Sequence, residues 1–245
     1  MGILRTKTIE PATGSTLTLG ASGDTITVSS DSIKANTFKD AGGNTLFTSD
    51  GAGTLSSVNS ALASAGPILI STSTASDSSS IDITSGIDST YDEYMFVFTD
   101  VNPATNGANF GWQVNADGES DFNEVITSSA FTSYNDEVHA DSYSGVAYQT
   151  AYDQGQGTDL QRLASLTGSA ADEPTAGVLH LFSPASTTYV KHFYARANSY
   201  YYAYGGYIND NFSAGYINTT SAIDEITFKM STGNFDGTIQ MYGIK

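Results

Sequence analysis

The amino-acid sequence predicts an all-β chain in which a short, repetitive N-terminal β segment leads into a β-sandwich, jelly-roll-like domain. Three observations point there. Hydrophobic residues make up 39% of the 245 and charged residues only 14%, while Gly, Ser, Thr, Asn and Asp recur throughout, the balance of many short strands joined by tight turns. Apolar and polar residues alternate over short runs, the period of a half-buried strand, and helical spacing is nearly absent. The candidate strands follow one another without helices between them, which favours a two-sheet sandwich over a βαβ arrangement.

Residues 1–56 form the repetitive segment. Gly14-Ser15-Thr16-Leu17-Thr18-Leu19, Gly23-Asp24-Thr25-Ile26-Thr27-Val28 and Gly43-Asn44-Thr45-Leu46-Phe47-Thr48 share a turn residue followed by a short alternation, each reading as one strand with an apolar face. Only two aromatics, Phe38 and Phe47, occur in this region. So little bulk cannot make a self-sufficient core, and the faces of Leu17, Leu19, Ile26, Val28, Phe38, Leu46 and Phe47 need another chain to cover them. Copies wound into a β-shaft and a socket on a larger assembly both supply that cover; an uncovered Ser/Thr/Gly arm is the plain alternative. Residues 57–66 read as a neck. Val58, Ala61, Leu62 and Ala65 fall at i, i+3, i+4 and i+7, a narrow apolar stripe on a short helix ended by Gly66-Pro67.

From 67 to 245 the candidate strands are 68–70, 80–84, 94–99, 109–115, 125–131, 146–152, 160–166, 178–182, 188–195, 215–218, 225–230 and 238–242, separated by clusters such as Asn102-Pro103, Asp117-Gly118 and Thr232-Gly233-Asn234. Phe110 and Trp112 read as core. Asn115 to Asp121 carries oxygen ligands suited to Ca²⁺, but its Gly118 falls too early for a helix–loop–helix calcium loop, and a hairpin turn at Asp117-Gly118 is the simpler account. Of the three histidines, His180 and His192 alternate with apolar neighbours and point to a sheet face, while His139 sits in an acidic loop with Asp136, Glu137 and Asp141. No nucleophile elbow of the Gly-x-Ser-x-Gly kind occurs, so no catalytic residue, cofactor or metal is assigned. The acids are too many for a glycosidase pair to be named.

The segment Tyr200-Tyr201-Tyr202-Ala203-Tyr204-Gly205-Gly206-Tyr207 stands apart. Tyrosine offers a broad apolar face and a hydroxyl at low entropic cost, and glycine lets the backbone adapt. Tyr200, Tyr201, Tyr202, Tyr204 and Tyr207 are therefore candidate contacts for a sugar or a protein; packing between sheets or subunits is the other reading.

With 26 acids and nine bases the net charge is −17, which argues against a nucleic-acid partner. Most of it lies in 67–245, where 21 acids face five bases. Without cysteine there is no disulfide and no thiolate metal site. The first residues lack the apolar run of a secretory signal and no stretch approaches the roughly 20 apolar residues of a membrane span, so the expectation is a chain folded in a cytosol without membrane insertion.

Several stretches carry a resemblance. Leu179-His180-Leu181-Phe182-Ser183-Pro184, Ser186 to Phe193, Ala214-Gly215-Tyr216-Ile217-Asn218-Thr219, the ending Gly237 to Lys245 and the earlier Phe47 to Ser56 look like virion structural or fibre proteins of marine tailed bacteriophages. The resemblance is spread over most of the chain and involves scaffold motifs without a catalytic signature. It implies a non-enzymatic virion component, expected as a homotrimer, assembled in the host cytoplasm, whose N-terminal part docks on tail or capsid proteins while the C-terminal domain projects outward. Tail fibres, head fibres and decoration proteins share this two-part layout. The expected role is host attachment through a surface glycan or protein, with a decoration or adaptor role that only stabilises the particle as the alternative. A glycan-degrading tailspike is disfavoured because no long β-helix repeat is evident.

Overall fold

A computed structural model describes residues 36–52, 55–56, 58–59, 66–137, 144–203 and 206–245. Leu17, Leu19, Ile26, Val28, Ala61, Leu62, Ala65, His139, Asp141 and Tyr204 lie outside the described residues. The chain divides into two compact units, Met1–Leu62 and Ala63–Lys245.

In the first unit β1 (Thr37–Lys39), β2 (Thr45–Ser49) and β3 (Leu55–Ser56) form a three-stranded antiparallel sheet in that order. Phe38 lies opposite Phe47, with ring centroids 4.6 Å apart. The β1–β2 turn is tied by Asp40, which accepts hydrogen bonds from the Asn44 amide at 2.8 Å and its side-chain nitrogen at 3.0 Å. The third sequence repeat is thus a strand, as its alternation predicts. The neck reading fares differently where it can be seen. Val58 is exposed and outside any helix, and the Asn59 amide donates to the Leu46 carbonyl at 2.7 Å, so here the backbone is still tied to β2.

In the second unit the strands are β4 (Ile68–Ser78), β5 (Ile81–Ile83), β6 (Glu93–Pro103), β7 (Ala108–Ala116), β8 (Ile126–Asp136), β9 (Gly145–Tyr148) and β10 (Gly155–Gly157). There follow β11 (Gln161–Thr167), β12 (Thr175–Phe182), β13 (Lys191–Tyr201), β14 (Tyr207–Ile217), β15 (Ile223–Met230) and β16 (Phe235–Ile244). All pair antiparallel. One run of neighbours is β4-β16-β6-β12 and the other β5-β15-β7-β11. Each of the successive pairs β4/β5, β6/β7, β11/β12 and β15/β16 places one strand in each run, which is the winding of an eight-stranded jelly roll. The expected β-sandwich is the observed fold.

Period-two alternation builds the core. Tyr94, Phe96 and Phe98 of β6 point inward and are fully buried, while Met95 and Val97 point out. The inward rings meet across the sandwich: Phe96 and Phe228 at 5.7 Å, Phe98 and Phe110 at 5.4 Å, Phe110 and Phe235 at 6.1 Å. Each such pair contributes about 0.5–1.5 kcal/mol beyond its buried area. Phe110 and Trp112 are core residues, as expected, and Trp112 stacks edge-on to Phe193 at 4.9 Å.

Two insertions extend the jelly roll. The β13–β14 hairpin and strand β8 extend the first sheet as β12-β13-β14-β8, and β9 and β10 pair with the far edge of β8. A single bridge, Thr167 to Tyr201, links β11 of the other sheet to β13. The hairpin expected at Asp117-Gly118 is corrected. The strand does end there, with Gly118 at φ +84°, but the neighbours of β7 are β15 and β11, not the strand that follows it. Its Asn115 side chain instead ties the turn by donating to the Glu119 carbonyl at 3.1 Å and to Glu225 at 3.0 Å.

Candidate binding groove

The inner face of the extension turns polar where it runs beyond the jelly-roll core. On β13 that face carries Ser199 and Tyr201, on β14 Tyr207, Asn209 and Asn211, and on β8 Thr132 and Tyr134. Register fixes the arrangement: Tyr201 is opposite Tyr207 and Asn209 opposite Tyr134. The rings of Tyr201 and Tyr207 stack at 4.4 Å with 17° between their planes, and Tyr134 follows at 5.9 Å from Tyr207. The result is a row of three tyrosines across three strands.

A second wall faces this row. Asn109 of β7, Arg162, Ser165 and Leu166 of β11, and the turn holding Gln149, Ala151 and Tyr152 complete a groove of about 500 Å³, within the range of sites that bind small molecules. The turn is anchored on both sides. Gln149 Nε2 donates to Thr132 Oγ1 at 2.8 Å, Gln161 Nε2 donates to the Tyr152 carbonyl at 2.8 Å, and Ser128 Oγ donates to Gln161 Oε1 at 2.7 Å. Asn109 Oδ1 accepts from Ser165 Oγ at 2.7 Å and from the Leu166 amide at 3.0 Å, leaving its side-chain nitrogen uncommitted.

Chemically, the lining presents aromatic faces, neutral amides and hydroxyls, and one cation. It contains no carboxylate and no histidine among the described residues. Burial pushes the Tyr152 phenol above its ordinary value, opposed first by a hydrogen bond with Ser165 and then by the charge of the Arg162 guanidinium, 5.7 Å over that ring. Asn209 is 4% exposed and lines the groove. Behind it, both amide atoms of the buried Asn211 and the Ser199 hydroxyl have no partner among the described residues. Buried polar atoms left unpaired cost about 1–3 kcal/mol each, a cost that a ligand or water in the groove would offset.

Of the tyrosines singled out by sequence, the fold brings Tyr201 and Tyr207 together and separates Tyr200 and Tyr202 from them. Tyr200 belongs to the opposite face of β13, where burial and then the charges of Glu137, Glu173 and Asp172 raise its phenol. Tyr202 leaves the strand, donating its amide to the Leu166 carbonyl at 3.1 Å, and its ring packs on Gly107. Sequence reasoning missed Tyr134, Tyr152, Arg162, Asn109 and Asn209. The available signal was Tyr134 and Asn209 alternating in phase with the small residues of their strands.

The outer face of the same sheet carries a different set. His180 pairs with Glu93 and stacks on Tyr194 at 4.4 Å, Phe131 stacks on Phe212 at 4.8 Å, and Arg196 is held by Asp210 at 2.7 Å. His180 and His192 thus face a sheet surface, as their alternation predicts. Tyr194, Phe131 and Tyr148 on this face are each about half exposed. Among the described residues no group of three or more His, Asp or Glu side chains converges as a metal site, and no helix is long and apolar enough to cross a membrane. In comparisons with known proteins, no family model, curated protein or solved structure matches this chain.

Proposed function

We propose that the chain is a structural component of a tailed-phage particle, a fibre or spike whose jelly-roll head attaches to the host by binding a cell-surface glycan in the tyrosine groove. The observation that carries this reading is the row Tyr201, Tyr207, Tyr134 beside the buried amide of Asn209 in a cavity of about 500 Å³. The row offers a sugar aromatic surface and phenol hydroxyls, and fixed amides meet its hydroxyls. The phage assignment and the projecting role are supported by the sequence resemblance. In this reading the N-terminal unit assembles the homotrimer and docks it on other virion proteins.

The test is binding of the purified full-length chain to host cells and their isolated surface polysaccharides. Tyr207→Ala and Tyr201→Ala should each weaken binding at least tenfold without lowering the thermal midpoint by more than a few degrees. Binding to particles but to no host glycan would favour the second reading, a decoration or adaptor protein. That alternative rests on the half-exposed Tyr194, Phe131 and Tyr148 of the outer face, apolar surface of the kind that docks on neighbours.

A further inference from the structure

Five bases occur in residues 67–245, and they are placed unequally. Lys191 is fully buried and donates to the carbonyls of Thr219 and Ser221. Arg196 is committed to Asp210 through both Nε and an Nη at 3.0 and 2.7 Å. Arg162 differs. Its guanidinium makes no ion pair and donates no hydrogen bond among the described residues, and its one contact is the face of Tyr152, 5.7 Å away. That leaves the donors of a planar fork uncommitted on the wall of the groove. Gly111, with no side chain, lies in register between Arg162 on one side and Lys229 on the other. The two cations therefore sit on either side of β7, with backbones about 10 Å apart, and a recess of about 280 Å³ beside Arg162 is lined by Gly111, Leu160 and Asp159.

We infer that the groove selects an anionic sugar, carrying a uronate carboxylate or a sulfate ester, and that Arg162 is the residue that reads the charge. The inference rests on the glycan-binding reading above and adds the ligand class to it. An arginine in a chain of net charge −17 would ordinarily find a carboxylate of its own. Arg162 is half-buried, lies over a tyrosine and, with Asp159 in the adjoining recess, makes no ion pair among the described residues, which pre-organises it for bidentate pairing with an arriving anion. Repulsion from the acidic surface does not prevent this, because beyond about 8 Å it is screened at physiological salt, whereas the pair forms at contact distance. The tyrosine row lines the sugar's path with ring edges and hydroxyls, Asn209 meets a hydroxyl, and Arg162 supplies the specificity.

The experiment measures binding of the full-length chain, at 0.15 M salt, to a panel of neutral oligosaccharides and their C6-carboxylated and O-sulfated counterparts. The charged members should bind at least tenfold tighter than their neutral parents, with the better of the two arms naming the anion. Arg162→Gln should bring them to the affinity of the parents, with a loss for the charged members at least tenfold larger than any loss for the neutral ones. Arg162→Lys, which keeps the charge and loses the fork, should retain part of the preference. Equal binding of neutral and charged members, or an equal loss for both in Arg162→Gln, would overturn the role given to Arg162 and leave the glycan reading standing. Absence of binding across the whole panel, with Tyr207→Ala indistinguishable from the native chain, would overturn the glycan reading itself.

Discussion

Tyr94 carries its hydroxyl to the edge of the core, where the Asp88 amide donates to it at 2.8 Å and it donates in turn to the Asp88 carbonyl at 2.9 Å. Burial pushes the phenol up to about 12. The unfolded chain therefore gives up this proton first, near pH 10, and the native state loses stability as pH rises from there towards 12. Tyr94→Phe should cost about 1–2 kcal/mol at pH 8, because the Asp88 amide loses its acceptor, and should flatten the alkaline loss. Urea midpoints at pH 8 and pH 11 check both, and equal alkaline losses in the two proteins would clear Tyr94. At this scale the core was legible: Phe110 and Trp112 sit among alternating residues that permit no other reading. Arg162 was not legible, because one charge in a strand says nothing about whether a carboxylate will be folded beside it.

The β13–β14 hairpin is the element that makes the groove, and the one that sequence patterning truncated. Asn209-Asp210-Asn211 has the composition of a turn, yet it is the middle of an eleven-residue strand whose inward amides are 4% exposed. The pattern misleads because this face borders a polar groove, so the apolar half of the usual alternation is missing. The tyrosine-rich tract runs from the end of β13 to the start of β14, strand positions that suit aromatic residues, and of its described members only Tyr201 and Tyr207 share the groove face. Gly215 fixes how closely β8 follows: a Cβ there would overlap the Thr127 carbonyl oxygen and approach the Ser128 Cα to 2.8 Å. Gly215→Ala should therefore destabilise the head by about 1–3 kcal/mol. The damage should be local, with faster hydrogen exchange in the amides of β8 and β14 and unchanged protection in β6 and β16. Uniform acceleration across all strands would mean that the extension and the jelly roll unfold as one unit.

For the molecule as a whole, the sandwich was readable from turn spacing, but strand order was not, since a jelly roll is fixed by pairings such as β4 with β16 that join the ends of the domain. Those pairings also make the unit from Ala63 to Lys245 self-contained, with its first and last strands hydrogen-bonded to each other. The fragment 63–245 should accordingly fold alone and unfold in a single transition. Its charge gives that transition a second signature. With 21 acids against five bases, and with Arg196–Asp210 the one Arg or Lys ion pair seen between described residues of this unit, salt has much repulsion to screen and little attraction to weaken. Between 10 mM and 0.5 M NaCl the Debye length shrinks from about 30 Å to below 10 Å, and the thermal midpoint of the fragment should rise by several degrees. A midpoint that falls with salt would mean that attractive pairs outweigh the net repulsion, and a fragment without a cooperative transition would mean that the N-terminal unit is part of the same fold.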